Sequence, residues 1–206
     1  MSRICVMTAD GRAYYAIVSK LRGAGLPFLS LVPGDRSDEC ELVLTTRAEA
    51  GLFRTPTMAL EDLDENLDVT RGQILARLSE GDKTLLVGLD PGSRIGMAAF
   101  LGDARIASQT FNSKVYACNG VIKLVEGVSA RRSFVRIGDG DPGMAAWLAE
   151  NLSTRLPKTV VELVDESGTS RKLRVKGLQK DQGSAAKIAF RKGSPFRYDD
   201  RTSRSP

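Results

Sequence analysis

The sequence predicts a mixed α/β protein built in two parts. Short apolar runs alternate with stretches of helical spacing over the first 80 residues, and from residue 84 three apolar runs follow one another with only turns between them. Apolar residues make up 42% and charged residues 27% of the 206, which is globular usage and excludes a wholly disordered, collagenous or disulfide-framework chain. The expected layout is a small α/β domain over residues 1–80, a larger domain over 81–192 and a basic, disordered tail over 193–206.

In the first part, Ile4 to Met7 is a short strand, and Asp10-Gly11 caps a helix with Tyr14, Ile17, Val18 and Leu21 on one face. Gly23 and Gly25 end that helix. Phe28 to Val32 and Glu41 to Thr45 are the next strands, separated by Pro33-Gly34 and an acidic loop, and the alternation of strand and helix implies a parallel sheet. Periodicity fades from Thr55 to Asp68. Ile74, Leu75 and Leu78 then mark a short helix that stops at Gly81.

In the second part, Leu85 to Leu89, Ile95 to Leu101 and Arg105 to Phe111 read as three strands in hairpin succession, the last two joined at Gly102-Asp103. A helix spans Val115 to Val128. Phe134 to Ile137 is a strand, and Pro142, a favoured first-turn proline, opens a helix carrying Trp147 and Leu148, which read as core. Val160 to Val164 is a strand and Ser184 to Phe190 a final helix, so the expected order is βββαβαβα.

Composition narrows the chemistry. The chain has no histidine, which excludes Ser-His-Asp and Cys-His machinery, HExxH zinc sites and an imidazole base. Cys5, Cys40 and Cys118 are odd in number and far apart, so they read as buried small hydrophobes rather than a disulfide or thiolate-zinc set. No apolar run approaches bilayer length, and Met1 to Arg12 lacks a signal-peptide layout, so a cytoplasmic protein with no membrane partner is expected. Residues 1–170 carry 19 Lys+Arg against 22 Asp+Glu, whereas residues 171–206 carry 11 against 3. A cationic end on a near-neutral body suits a polyanion such as nucleic acid; the alternative is a solubilising tail.

Carboxylates fall where an α/β sheet binds ligands, beyond the carboxyl ends of strands. Asp90 follows the first strand of the second part, Asp139 and Asp141 the fourth, Asp165 and Glu166 the fifth, and Asp181 opens the last helix. Each also has a structural reading: Asp-Pro-Gly is a common tight turn, Gly138-Asp139-Gly140-Asp141-Pro142 suits a loop whose Asp caps the following helix, Asp165-Glu166 a solvated strand end, and Asp181 an N-cap of the last helix. Clustered carboxylates repel unless a cation compensates them, and oxygen ligands alone select Mg²⁺ or Mn²⁺. Two such ions can serve both attacking and leaving oxygens of a phosphodiester without histidine.

Val87-Gly88-Leu89-Asp90-Pro91-Gly92-Ser93-Arg94-Ile95-Gly96 resembles the first strand and turn of RuvC-type junction resolvases and YqgF-type nucleases of the ribonuclease H-like superfamily. Val164-Asp165-Glu166-Ser167-Gly168-Thr169-Ser170 is similar to the fifth-strand motif of the YqgF group, and Asp181-Gln182-Gly183-Ser184-Ala185-Ala186 to its final helix. The resemblance spans Thr84 to Lys192. It implies a ribonuclease H-like mixed sheet and Mg²⁺- or Mn²⁺-dependent endonuclease action on structured DNA or RNA, for which a homodimer would suit a resolvase. Carried over by position, Asp90, Asp139, Glu166 and Asp181 are the catalytic set and, with Asp141 competing for Asp139's place, the metal ligands. Resolvases usually have Glu where this chain has Asp139, and often a second acid where it has Ser184. Arg94, Arg171, Lys172, Arg174, Lys176 and Lys180 would lie along the phosphates, unless the loop between the last two acidic positions is merely solvated. Two other classes remain open: a catalytically silent nucleic-acid or protein-binding module on the same fold, and an actin- or sugar-kinase-like ATPase, which would want a second such fold.

Overall fold

The computed structural model describes residues 3–35, 38–81, 83–166 and 180–196, with Lys180 described in its backbone alone. The chain is mixed α/β, with two sheets and five helices among these residues, and it divides into two compact units. The first runs to Gly81 and takes in Gly127–Ser129; the remainder forms the second.

In the first unit, β1 (Ile4–Val6), β2 (Leu29–Ser30), β3 (Leu42–Thr45) and β4 (Thr57–Ala59) pair in parallel in the order β2-β1-β3-β4. Between β1 and β2 lies α1 (Gly11–Gly23), whose N-cap Asp10 accepts the Arg12 and Ala13 N–H groups; α2 (Leu67–Leu78) follows β4, capped by Asn66 in the same way. Ile4, Val6, Leu42 and Leu44 meet Ile17, Leu21 and Ile74 in one core cluster. The alternate residues Cys5, Met7 and Val43 form a second, smaller cluster with Cys40, beside Leu31 and Phe53. Strands buried on both faces read as continuous apolar runs, which is why β1 and β3 were legible. The weakly periodic stretch after Thr55 nevertheless holds β4, an edge strand too short to show alternation, and α2 begins well before Ile74.

Two expectations are corrected here. Cys5 and Cys40 are not separate buried hydrophobes: they form a disulfide with Cα atoms 5.9 Å apart, while Cys118 stays free and buried. Their separation of 35 residues hid the pairing. Parallel register sets Cys5 beside Val43, and Cys40 enters the same strand three residues earlier. The second correction concerns the tail, since Ser194–Pro195 form a short strand, β10, rather than disordered chain. An edge position accommodates the proline, which lacks an N–H to donate.

The second unit is a six-stranded sheet in the order β10-β9-β8-β5-β6-β7. The antiparallel hairpins β5 (Thr84–Asp90), β6 (Ile95–Leu101) and β7 (Ala104–Phe111) occupy one side. On the other side β8 (Arg132–Gly138) and β9 (Val160–Val164) run parallel to β5, and β10 pairs antiparallel with β9. The helices are α3 (Lys114–Gly127), α4 (Pro142–Arg155) and α5 (Lys180–Phe190). Leu85, Val87, Leu89, Val135 and Ile137 are buried on one face. The opposite face is covered by α5, where Ala185, Ala186 and Ala189 pack on Leu86, Ala98 and Phe100.

Small residues permit that approach. A Cβ on Gly88 would lie 2.0 Å from the Ala185 carbonyl oxygen and 2.6 Å from the Ala189 nitrogen, so the helix backbone rests directly on the strand. A buried ion pair fixes the far end of α5. Arg136 Nε donates to Glu162 Oε2 at 2.8 Å, its Nη1 donates to the Ala189 carbonyl at 2.7 Å, and the Gly193 N–H also reaches Glu162.

Gly88→Ala is therefore expected to cost about 1–3 kcal/mol, because backbone rather than a flexible side chain must give way; denaturant unfolding with an unchanged slope checks this. In the first unit, reduction of the Cys5–Cys40 bridge is expected to lower stability by up to about 4 kcal/mol on loop-closure arithmetic. Unfolding midpoints with and without a thiol reductant, with Cys5→Ser as the control that no longer responds, measure that loss.

Candidate acidic site at the strand ends

The final residue of β5 is Asp90, and its register partner on β6 is Gly96. Directly paired residues of an antiparallel ladder project to the same face. A Cβ on Gly96 would lie 2.3 Å from the Asp181 carbonyl oxygen, so Asp181 is seated on Gly96, on the face to which Asp90 projects. Along β8 the pairing reaches Leu89 with Ile137, and the next step brings Asp90 level with Gly138. The space over Gly138 is filled by Glu166 Oε1 and the tip of Ile188 from α5. Three of the predicted acids, Asp90, Glu166 and Asp181, thus gather on the α5 face at the carboxyl ends of β5, β8 and β9. Glycines at 96 and 138 leave the room.

The carboxylates are engaged with protein. Asp181, in the first turn of α5, pairs with Arg94 at 3.1 Å; the arginine side chain is 58% exposed, so part of it still faces solvent. Glu166 accepts the Gly140 N–H at 3.3 Å, and Asp139 accepts the Glu166 N–H at 2.9 Å, which ties the end of β8 to the end of β9. Asp141 caps α4, its Oδ1 accepting the Met144 N–H at 3.0 Å. Asp139 and Asp141 thus shape the loop, as the cap reading of that segment anticipates. Among the described residues no three acids or cysteines lie close enough together to hold a metal ion. Of the predicted cations, Arg171, Lys172, Arg174 and Lys176 lie outside the described residues, as do Ser167 to Ser170 of the fifth-strand motif; Lys180 is the first residue of α5. Leu148 is core, whereas Trp147 is only half-buried, with the Lys114 ammonium 4.4 Å from its ring centre.

A second constellation, in the first unit, escaped sequence reasoning. Strand order β2-β1-β3-β4 reverses direction between β1 and β3, the position where open α/β sheets bind ligands. There the Glu49 carboxylate accepts from the Ala9 N–H at 2.7 Å and from the hydroxyls of Thr8, Thr46 and Thr45. Burial alone raises its pKa, but the bonds from Thr8, Ala9, Thr46 and Thr45 outweigh burial and bring it down to about 2. The signal was available in Thr8, Thr45 and Thr46, hydroxyls at or just past two strand ends, with Glu49 a few residues on.

Fold and site together define a two-unit α/β chain, a four-stranded parallel sheet with helices packed on one face preceding a mixed sheet with acids at its carboxyl ends. Compared with known families, residues 3–69 match the response regulator receiver-like domain, a span that covers less than half of the chain. The first unit is thus similar to that domain, and its parallel order agrees with the match. No curated protein matches the chain. No helix among the described residues is long and apolar enough to cross a membrane.

Because the Glu49 pKa is lower folded than unfolded, its contribution is present above the ordinary value of 4.5 and is lost as pH falls toward about 2. Glu49→Gln is expected to cost on the order of 1–2 kcal/mol at neutral pH, after allowing for partial solvent screening. The stability difference between parent and variant should shrink between those two pH values, as measured by urea unfolding across the acid range.

Proposed function

We propose that the second unit is a ribonuclease H-like domain of the RuvC and YqgF type that acts on structured nucleic acid as an endonuclease. The observation that carries this reading is the seating of Asp181 on Gly96, the partner of Asp90, with Glu166 over the neighbouring Gly138. One acid from each of the three resemblance motifs, Asp90, Glu166 and Asp181, thus lies on one face at the strand ends. The element order of the unit, three hairpin strands followed by alternating helices and strands, supports the same reading.

The donor set suits Mg²⁺ or Mn²⁺ in kind, since every candidate is a hard carboxylate. Asp90, Glu166 and Asp181 are the residues that would hold such an ion, whose positive charge would activate water and steady the leaving oxygen. Their arrangement among the described residues does not form a cage, however, with Asp181 given to Arg94 and Glu166 to Gly140. The same engagement favours the second reading, a silent module that binds nucleic acid through this fold without cutting it. For the first unit, the receiver-like match supports a regulatory rather than a catalytic role.

A screen of DNA and RNA junctions, flaps and hairpins with Mg²⁺ or Mn²⁺ separates the readings. Metal-dependent cleavage that disappears in Asp90→Asn and Asp181→Asn, with unfolding midpoints retained, is the expected outcome. Binding of the same substrates without cleavage would select the silent module, and neither binding nor cleavage would overturn both. Asp181→Asn also frees Arg94, so the variant should bind a phosphate backbone at least as tightly as the parent.

A further inference from the structure

A cleft of about 560 Å³ opens at the amino ends of β8 and β9, lined entirely by residues of the second unit. It lies at the opposite end of the sheet from the acids, roughly 20 Å away along β8 at about 3.3 Å per residue. Arg131 and Arg132 line it at the start of β8, Arg155 at the last turn of α4, and Lys158 at the turn before β9. All four side chains are exposed, and none of them forms an ion pair among the described residues. Arg155 alone is partly committed, donating to the Asn119 side chain at 3.0 Å.

The electrostatics are decided by count. Glu126 is the one acid on the lining, and the C-termini of α3 and α4 nearby each contribute about half a negative charge. Against four cations these leave a surplus of about two positive charges in a concave site, where low-dielectric walls concentrate the field. The wall itself is apolar in part: Val125, Leu156 and Pro157 line it. A volume in the range of small-molecule sites, an apolar wall and converging cations together fit a ligand with a compact hydrophobic body and a doubly charged head. A nucleic-acid backbone calls instead for a stripe of cations along an open surface.

We propose that this cleft binds a small organic phosphate, with Arg131, Arg132 and Lys158 holding the phosphate oxygens and Leu156 and Pro157 packing against the ligand's apolar body. Guanidinium groups present paired donors that match phosphate oxygens, and Lys158 adds a point charge. The site is independent of the acidic end, so it stands whether or not the domain cuts nucleic acid.

The experiment is calorimetric titration of the full chain with inorganic pyrophosphate and, separately, ADP, both with chelator present so that no metal bridges the phosphates. Both probes are expected to bind, ADP more tightly because its ring meets the apolar wall. Arg132→Glu combined with Lys158→Glu should weaken both by about tenfold or more, while Asp90→Asn should leave both unchanged. The neutral pair Arg132→Gln with Lys158→Gln decides the matter should charge reversal disturb folding, which the unfolding midpoint reports. Absence of binding by either probe, or equal affinity in the neutral pair, would overturn the proposal. So would an oligonucleotide that alone requires Arg132 and Lys158, since the cleft would then be a backbone contact.

Discussion

Backbone-on-backbone packing of α5 against the sheet governs the second unit. Gly88 and Gly96 let the helix descend until carbonyl oxygens of Ala185 and Asp181 occupy the space that side chains would otherwise take. This contact determines both the face on which α5 lies and the height of its first turn, and hence brings Asp181 to Asp90. At the other end, Arg136 and Glu162 sit in a nearly dry environment, with side chains 12% and 6% exposed. Such a pair adds little net stability over apolar residues of similar size, but breaking it leaves an unpaired buried charge at a cost of about 3–5 kcal/mol. Its effect is therefore on position: the Ala189 carbonyl and the Gly193 N–H are both held to it, so the helix and the turn toward β10 have one register.

The fold was legible where local pattern and tertiary environment agree. The hairpins β5-β6-β7 announced themselves through continuous apolar runs and Gly102, which adopts a φ of 54° at the turn. Asp10 and Pro142 marked helix starts because capping is a local interaction that needs no knowledge of the rest of the chain. What stayed hidden depends on pairing between distant segments. The disulfide, the edge strand β4 and the Ser194–Pro195 strand all arise from register in a sheet, and no short window of sequence reports register. The candidate site divides on the same line. Sequence located the acids at strand ends, but their hydrogen-bond partners differ, and these separate Asp141, a cap, from Glu166, which lies on two glycines.

Two unlike devices stabilise the parallel sheet of the first unit. The Cys5–Cys40 bridge ties the strand at the centre of the sheet to the segment entering β3 on the thinly covered face. Glu49 ties the carboxyl ends of those same two strands, through Thr8 and Ala9 after β1, Thr45 at the end of β3 and Thr46 just past it. One responds to redox conditions and the other to acid, so loss of either leaves β1 and β3 joined at one end. Glu49 also consumes the donors that the switch point would offer an anion. The switch point of this sheet is thus filled by protein, in contrast to the open cationic cleft of the second unit.

Among the described residues, the two ends of the second sheet carry opposite charge, and the separation has a physical consequence. Sheets have only a small net dipole, so the polarity is made by side chains: carboxylates after β5, β8 and β9, and arginines and a lysine before β8 and β9. Roughly 20 Å is about two Debye lengths at physiological salt, so charge at one end barely alters exposed charge at the other. Direct electrostatic coupling between acid end and cleft is thus weak. Communication between them would pass through the strands that span both ends, among them β8, whose Arg132 lines the cleft and whose Gly138 supports Glu166. Arg136 lies between those residues and is clamped by Glu162 and the end of α5. A ligand in the cleft would act on the acids through a shift of this strand against α5, and the glycine contacts leave little room for such a shift.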